Sequence, residues 1–197
     1  MSVAEPDPHD PDTVALDPNR PRLPGDPTPR QVLERALRVD QAGEYGAVRI
    51  YAGQMAVLGR RASTAAIRRM AAQEHEHLAE CDALLNARKV RPTALAPVWH
   101  VAGFALGAAT ALMGEKAAMA CTAAVEEVIV EHYQAQVTAL ADEEPEIAAR
   151  LRAFAADEEH HRAEALASGA ERTPGYGLLS AAIRTGCRLA IRISERV

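Results

Sequence analysis

Nowhere along this chain do apolar and polar positions alternate in the two-residue rhythm of a strand closed by turn residues. The pattern is one of long proline-free stretches with few breaks, which predicts helices over about 30–60, 62–90, 115–142, 146–168 and 177–196. The first two part near Gly59-Arg60-Arg61-Ala62-Ser63, with Ser63 the expected N-cap of the second. Pro92 and Pro97 bracket a loop, and the Ala- and Gly-rich run from Val98 to Gly114 carries no charge. Pro145, Gly169 and the pair Pro174-Gly175 punctuate the rest. Gly43, Gly46 and Gly53 fall inside the first helix, each costing roughly 1 kcal/mol relative to Ala. Close helix–helix approach is the expected compensation. The fold class is all-α.

Composition divides the chain into two parts. Residues 1–30 hold eight of the twelve prolines with acidic residues between them. Such a segment buries too little apolar surface to offset its ordering entropy and is expected to be a disordered tail. Residues 31–197 are then one domain of ordinary size, and their abundant Ala with few aromatics (4%) favours tightly packed helices. The net charge of −5 supplies no dominant basic field, which argues against nucleic acid as a partner. Cys81, Cys121 and Cys187 form no CxxC pair, so neither a disulfide framework nor a thiolate zinc site is indicated. The N-terminus has neither a secretory signal pattern nor a basic transit-peptide pattern, so a bacterial cytoplasm or its membrane face is expected.

Two ExxH units, Glu74–His77 and Glu158–His161, each set a carboxylate and an imidazole on one helical face. One such unit is weak evidence. Here each is preceded, one helix earlier, by a glutamate in apolar surroundings, Glu44 in AGEYGAV and Glu126 in TAAVEEVIV. A carboxylate there is costly unless a cation or hydrogen bonds compensate it. Tyr51 follows Glu44 by seven residues, as Tyr133 follows Glu126, and the ExxH units extend alike to Glu80 and Glu164. These features describe a tandem repeat of a helix pair whose carboxylates face a shared centre. Four carboxylates and two neutral imidazoles balance two divalent ions, and oxygen and nitrogen ligands suit Fe or Mn. One Glu from each of two helices and Glu-x-x-His from each of two others is the ligand pattern of ferritin-like dimetal bundles.

Two positions admit rivals. Glu126 is preferred to Glu127 because it shares a face with Val130 and Tyr133, whereas Glu127 aligns with Glu131 and Gln134. Glu158–His161 is preferred to Asp157–His160 because its extension to Glu164 matches the first repeat. His75 and His160 are then expected at the surface or just outside the ligand shell.

The stretches RVDQAGEYGAVRIYAGQ (38–54), QEHEHL (73–78), AMACTAAVEEVIVEHYQAQ (118–136) and GCRLAIRISERV (186–197) resemble the demethoxyubiquinone hydroxylase family of ubiquinone biosynthesis. The resemblance covers about residues 30–197. It implies a ferritin-like four-helix bundle built from two repeated helix pairs, with an apolar crossover helix and a C-terminal amphipathic helix. It also implies two Fe ions on Glu44, Glu74, His77, Glu126, Glu158 and His161. The substrate it implies is a polyprenyl methoxy-benzoquinol, whose ring is hydroxylated with O2. Tyr51 and Tyr133 would relay protons or electrons, or simply pack as aromatic core beside the site; both readings stay open. A homo-oligomer and contacts with other ubiquinone-biosynthesis proteins are left open too.

A polyprenyl substrate lives in the bilayer. Val98–Gly114 is short for a span and suits an interfacial or tunnel-lining helix. The last helix carries Arg184, Arg188, Arg192 and Arg196 beside Leu179, Ile183, Leu189, Ile193 and Val197, the composition of a helix on an anionic membrane surface. Peripheral association with the cytoplasmic side of a bacterial cell membrane is therefore expected. The rival functions are a ferritin-like iron store or ferroxidase and a di-manganese catalase, which use the same kind of ligand set, and a non-enzymatic membrane-associated quinone-binding protein.

Overall fold

The computed structural model describes residues 23–59, 61 and 64–197. Most of the expected tail, and Ser63 with its expected cap, lie outside the described residues. Six α-helices follow: α1 (Pro29–Leu58), α2 (Thr64–Arg88), α3 (Ala96–Leu112), α4 (Glu115–Leu140), α5 (Pro145–Ala167) and α6 (Tyr176–Ser194). A single 3-10 turn, Ala170–Arg172, follows α5, and no strand occurs among the described residues. The fold is all-α, as the pattern predicts.

Local chemistry sets the helix ends. Thr28 caps α1 in a reciprocal capping box with Gln31, and Pro29 occupies the first turn, where its missing N–H costs nothing. The helix thus takes in Pro29 and Arg30, which composition groups with the tail. Gly169 ends the α5 segment in the left-handed region at φ 90°, a conformation glycine adopts without steric cost.

The core forms three apolar clusters, two of them at the ends of the bundle and a third, with Ile50, Val125 and Ile183, on the side where α6 packs. Leu37 of α1, Leu85 of α2, Tyr133 and Leu140 of α4, and Leu151 and Phe154 of α5 belong to the first. Tyr51 and Leu58 of α1, Ile67 and Met70 of α2, Met119 of α4 and Ala165 of α5 belong to the second. On every one of these four helices the ionisable candidates fall between the two end clusters. Helices α1 and α5 run from the first cluster to the second, and α2 and α4 run back. The result is a ferritin-like bundle of two helix pairs, with apolar plugs above and below one polar level.

Because α2 ends where the first cluster lies and α4 begins where the second lies, the chain must recross the bundle lengthwise. Helix α3 does this, its 17 residues spanning about 26 Å. It lies along α1 at backbone contact: a Cβ on Gly107 would sit 1.9 Å from the Ile50 carbonyl oxygen, and one on Gly53 would sit 2.2 Å from that of Phe104. Gly53 therefore has the close approach expected of it. Gly46 shares in it only through its carbonyl oxygen, 3.0 Å from where a Cβ on Gly103 would sit; a Cβ on Gly43 or on Gly46 itself meets nothing within 4 Å and would face an apolar groove.

Helix α6 covers that groove. Arg184 and Arg188 pair with Glu127 (3.2 Å) and Glu131 (2.8 Å) of α4, and Trp99 Nε1 of α3 donates to Ser194 Oγ at 3.0 Å. Two of the four arginines expected to face a membrane thus hold α6 to the bundle. Ile183 is buried, while Leu178 (82% exposed), Leu189 and Ile193 stand outward, as do Val101 and Leu112 (77% exposed) of α3. Among the described residues no helix is long and apolar enough to cross a membrane.

Candidate metal centre

The six residues singled out by the repeat converge at the middle level of the bundle, each at most 4% exposed. They form two overlapping groups whose ligand atoms lie within 4.8 Å of one another. Glu44, Glu74, His77 and Glu158 make one; Glu74, Glu126, Glu158 and His161 make the other. Glu74 and Glu158, the carboxylates of the ExxH units, are common to both. Glu44 and His77 from the first helix pair belong to one position only, and Glu126 and His161 from the second pair to the other. That these two carboxylates stand in both groups is not legible in the sequence.

Several of the candidate donor atoms have no hydrogen-bond partner within the protein. Glu44 Oε2, Glu74 Oε1, Glu126 Oε2, Glu158 Oε1 and His77 Nδ1 are buried without a hydrogen bond. His77 Nδ1 and Glu158 Oε1 approach to 2.9 Å, and His161 Nδ1 and Glu74 Oε1 to 3.0 Å, yet neither pair is aligned as a hydrogen bond. His161 Nδ1 does meet Glu158 Oε2 in a hydrogen bond at 2.9 Å, but donors gathered this closely, most of them unbonded, fit a divalent cation between them. Burial, reinforced by Glu158, pushes Glu74 and Glu126 well above the usual carboxylate range. Burial also opposes charge on Glu158 and on His77, but their mutual contact prevails. Glu158 is held low by His161 and His77, and His77 is raised from 6.5 to about 10 by Glu158 and Glu44. A cation held between these groups would compete with the protons they favour.

Around the six lies a shell in which each repeat supports the other. Tyr51 Oη donates to Glu126 Oε1 at 2.8 Å, and Tyr133 Oη donates to Glu44 Oε1. His77 Nε2 meets Asp157 Oδ2 at 3.2 Å, and His161 Nε2 meets Gln73 Oε1 at 3.0 Å. A carboxylate oxygen can only accept, so His77 carries its outward proton on Nε2 and offers Nδ1 inward. Asp157 and Gln73 are the residues the sequence reading missed in this role; their signal is that each immediately precedes an ExxH glutamate. Glu80 and Glu164 pair with Arg150 and Arg69 across α2 and α5 and lie outside the cluster. His75 and His160 are exposed, and Glu127 turns to Arg184.

Beside this centre runs the apolar groove of about 510 Å³, between α1, α3, α4 and α6. Gly43, Gly46, Ile50, Val125, Ile129 and Ile183 are in its wall, and Gly43 and Val125 immediately precede Glu44 and Glu126.

The chain is similar to proteins of known activity. The 3-demethoxyubiquinol 3-hydroxylase of Rhodospirillum rubrum is 56% identical over 177 residues, covering 89% of this chain and 84% of the relative. The human protein described as NADPH-dependent 3-demethoxyubiquinone 3-hydroxylase, mitochondrial, is 48% identical over 172 residues, covering 85% of this chain and 79% of its own length. The yeast 5-demethoxyubiquinone hydroxylase, mitochondrial, is 37% identical over 182 residues, covering 84% and 78%. The profile of the family described as ubiquinone biosynthesis protein COQ7 matches residues 31–194, and the chain belongs to that family.

Proposed function

We propose that this chain is an O2-dependent di-iron monooxygenase that hydroxylates the ring of a polyprenyl methoxy-benzoquinol in ubiquinone biosynthesis. The observation that carries the reading is the buried cluster of four carboxylates and two imidazoles in a chain 56% identical to a 3-demethoxyubiquinol 3-hydroxylase. Glu44, Glu74, His77, Glu126, Glu158 and His161 would hold the two ions, with Glu74 and Glu158 shared between them. Bound iron supplies the redox chemistry that activates O2. Overall, one oxygen atom enters the ring C–H bond and the other leaves as water, with two electrons and two protons consumed.

The chain's own part is to hold and to exclude. Tyr51 and Tyr133 fix the outer oxygens of Glu126 and Glu44, so that each carboxylate presents its remaining oxygen inward. The apolar clusters above and below keep water from the polar level. The groove has the volume and lining to take an apolar ring and the first part of its prenyl tail. The exposed apolar residues of α3 and α6 lie on the two helices that flank it, which supports entry of substrate from a membrane surface. A ferritin-like store would use the same ligands but has no use for such a groove.

Purified protein loaded anaerobically with ferrous iron, then given quinol, a reductant and ¹⁸O2, should yield a hydroxylated ring carrying one ¹⁸O atom. Disproportionation of H2O2, or iron mineral uptake with no hydroxylated product, would sink this reading. Flotation with anionic vesicles should carry the protein to the lipid fraction, and serine at Leu178, Leu189 and Ile193 should abolish it.

A further inference from the structure

The two metal positions are built from corresponding residues of the two repeats, with one conspicuous exception in the shell around them. Each outer glutamate is held by the tyrosine of the opposite repeat, so those supports are chemically alike. The histidine supports are not. His77 Nε2 meets the carboxylate of Asp157, which can only accept its proton, whereas His161 Nε2 meets the amide of Gln73, which accepts or donates according to how it is turned. Asp157 and Gln73 occupy the same place in their repeats, directly before the ExxH glutamate, and each reaches across to the other pair. The difference is therefore one of charge at an otherwise corresponding position.

We infer that Asp157 and Gln73 are positioning residues that make the two metal positions unequal, the Glu44–His77 position holding a divalent ion more tightly than the Glu126–His161 position. This rests on the dimetal reading of the site. A carboxylate accepting the outward N–H makes the imidazole a stronger donor and fixes its ring and tautomer. A hydrogen bond to an ionised acceptor is also roughly twice as strong as one to a neutral amide. A glutamine can moreover turn its amide over and present N–H instead of oxygen, so it constrains the tautomer of His161 less. Phe154 adds to the contrast: its ring packs against His77 with centroids 4.3 Å apart, while the corresponding residue of the other repeat is Met70. Loss of such an outer partner typically costs 10- to 100-fold in metal affinity, so a gap of about tenfold or more between the positions is expected.

Titration of the metal-free full-length protein with Co(II), followed by calorimetry and visible absorption, tests this without any turnover. The wild type should bind in two resolved steps. Glu44→Gln should remove the tighter step and Glu126→Gln the weaker one, which assigns them. Asp157→Asn should weaken the tighter step about tenfold and leave the other in place. Gln73→Glu should tighten the weaker step and shift its Co(II) absorption, an effect that a loosened fold cannot imitate. Two equal steps in the wild type would overturn the inference while leaving the centre intact. So would variants that change both steps alike. Should Asp157→Asn fail to fold, Gln73→Glu still decides the matter. If the wild type takes up no Co(II), Mn(II) or Fe(II) at all, the dimetal reading itself fails, and the inference with it.

Discussion

Tyr51 Oη donates a 2.8 Å hydrogen bond to Glu126 Oε1, although Tyr51 belongs to the helix that carries Glu44 and Glu126 to the other helix pair. Tyr133 returns the relationship by donating to Glu44. Seven-residue spacing sets each tyrosine on the face of its own glutamate, but about two helical turns along, where the partner's glutamate arrives. The crossed bonds supply each buried carboxylate with a partner for one oxygen and leave the other oxygen free to face the centre.

This arrangement predicts what Tyr51→Phe does. The substitution keeps the ring in its apolar cluster and removes only the donor, leaving a buried carboxylate with neither oxygen bonded. Metal affinity at the Glu126 position should fall about tenfold, with turnover recovering when iron is saturating. Equilibrium metal titration and turnover against iron concentration check it. A turnover loss that persists at full iron occupancy would instead assign Tyr51 a relay role.

Glu126 and Glu127 are adjacent and chemically identical, yet they should behave oppositely. Glu126→Gln removes a buried donor and should abolish binding at one metal position and turnover with it. Glu127→Gln breaks only the partly exposed ion pair with Arg184, worth at most about 1 kcal/mol, and should leave both positions filled. Metal stoichiometry and melting temperature separate the two.

The raised values of Glu74, Glu126 and His77 give a pH dependence of one sign, while Glu158, held low, acts oppositely and only as pH falls below the usual carboxylate range. Glu74 and Glu126 have folded-state values above 4.5, so the native state binds protons more tightly than the unfolded chain, and its stability falls as pH rises through those values. His77, raised from 6.5 to about 10, acts in the same direction: its contribution is complete below 6.5 and is lost as pH rises through about 10. Metal replaces these protons, so metal-induced stabilisation should grow with pH. His132, lowered by burial to about 4, has the opposite sign and destabilises the native state as pH falls. It acts with or without metal, so the quantity to measure is the melting-temperature difference between loaded and metal-free protein. That difference should be larger at about pH 8 than at about pH 6.

Glycine substitutions should separate close packing from open groove. Gly107→Ala forces a methyl group onto the Ile50 carbonyl of a facing backbone, which no rotamer change relieves, and should cost at least about 1–3 kcal/mol. Gly43→Ala meets nothing and should gain up to roughly 1 kcal/mol from helix propensity. Gly43→Leu should keep the melting temperature but raise KM for a prenylated quinol, because its side chain enters the groove. Thermal melts and steady-state kinetics decide each.

The sequence by itself determined the helices, their ends to within a few residues, and the six residues that meet at the centre. It did so because helical periodicity and the doubled Glu…Glu-x-x-His spacing are local properties of the chain. It also separated Glu126 from Glu127, because a charge among apolar neighbours is visible without coordinates. Tertiary structure alone decided which carboxylates stand in both groups, which residue contacts which member of the cluster, and that the side-chain positions of Gly43 and Gly46 open on a groove where that of Gly53 meets α3. These depend on how the two helix pairs cross, and no spacing within one repeat encodes the partner that the other repeat brings to it. Asp157 shows the limit well. Read along the chain it is a rival to Glu158 as a ligand; in the fold it faces away from the centre and holds His77 in place.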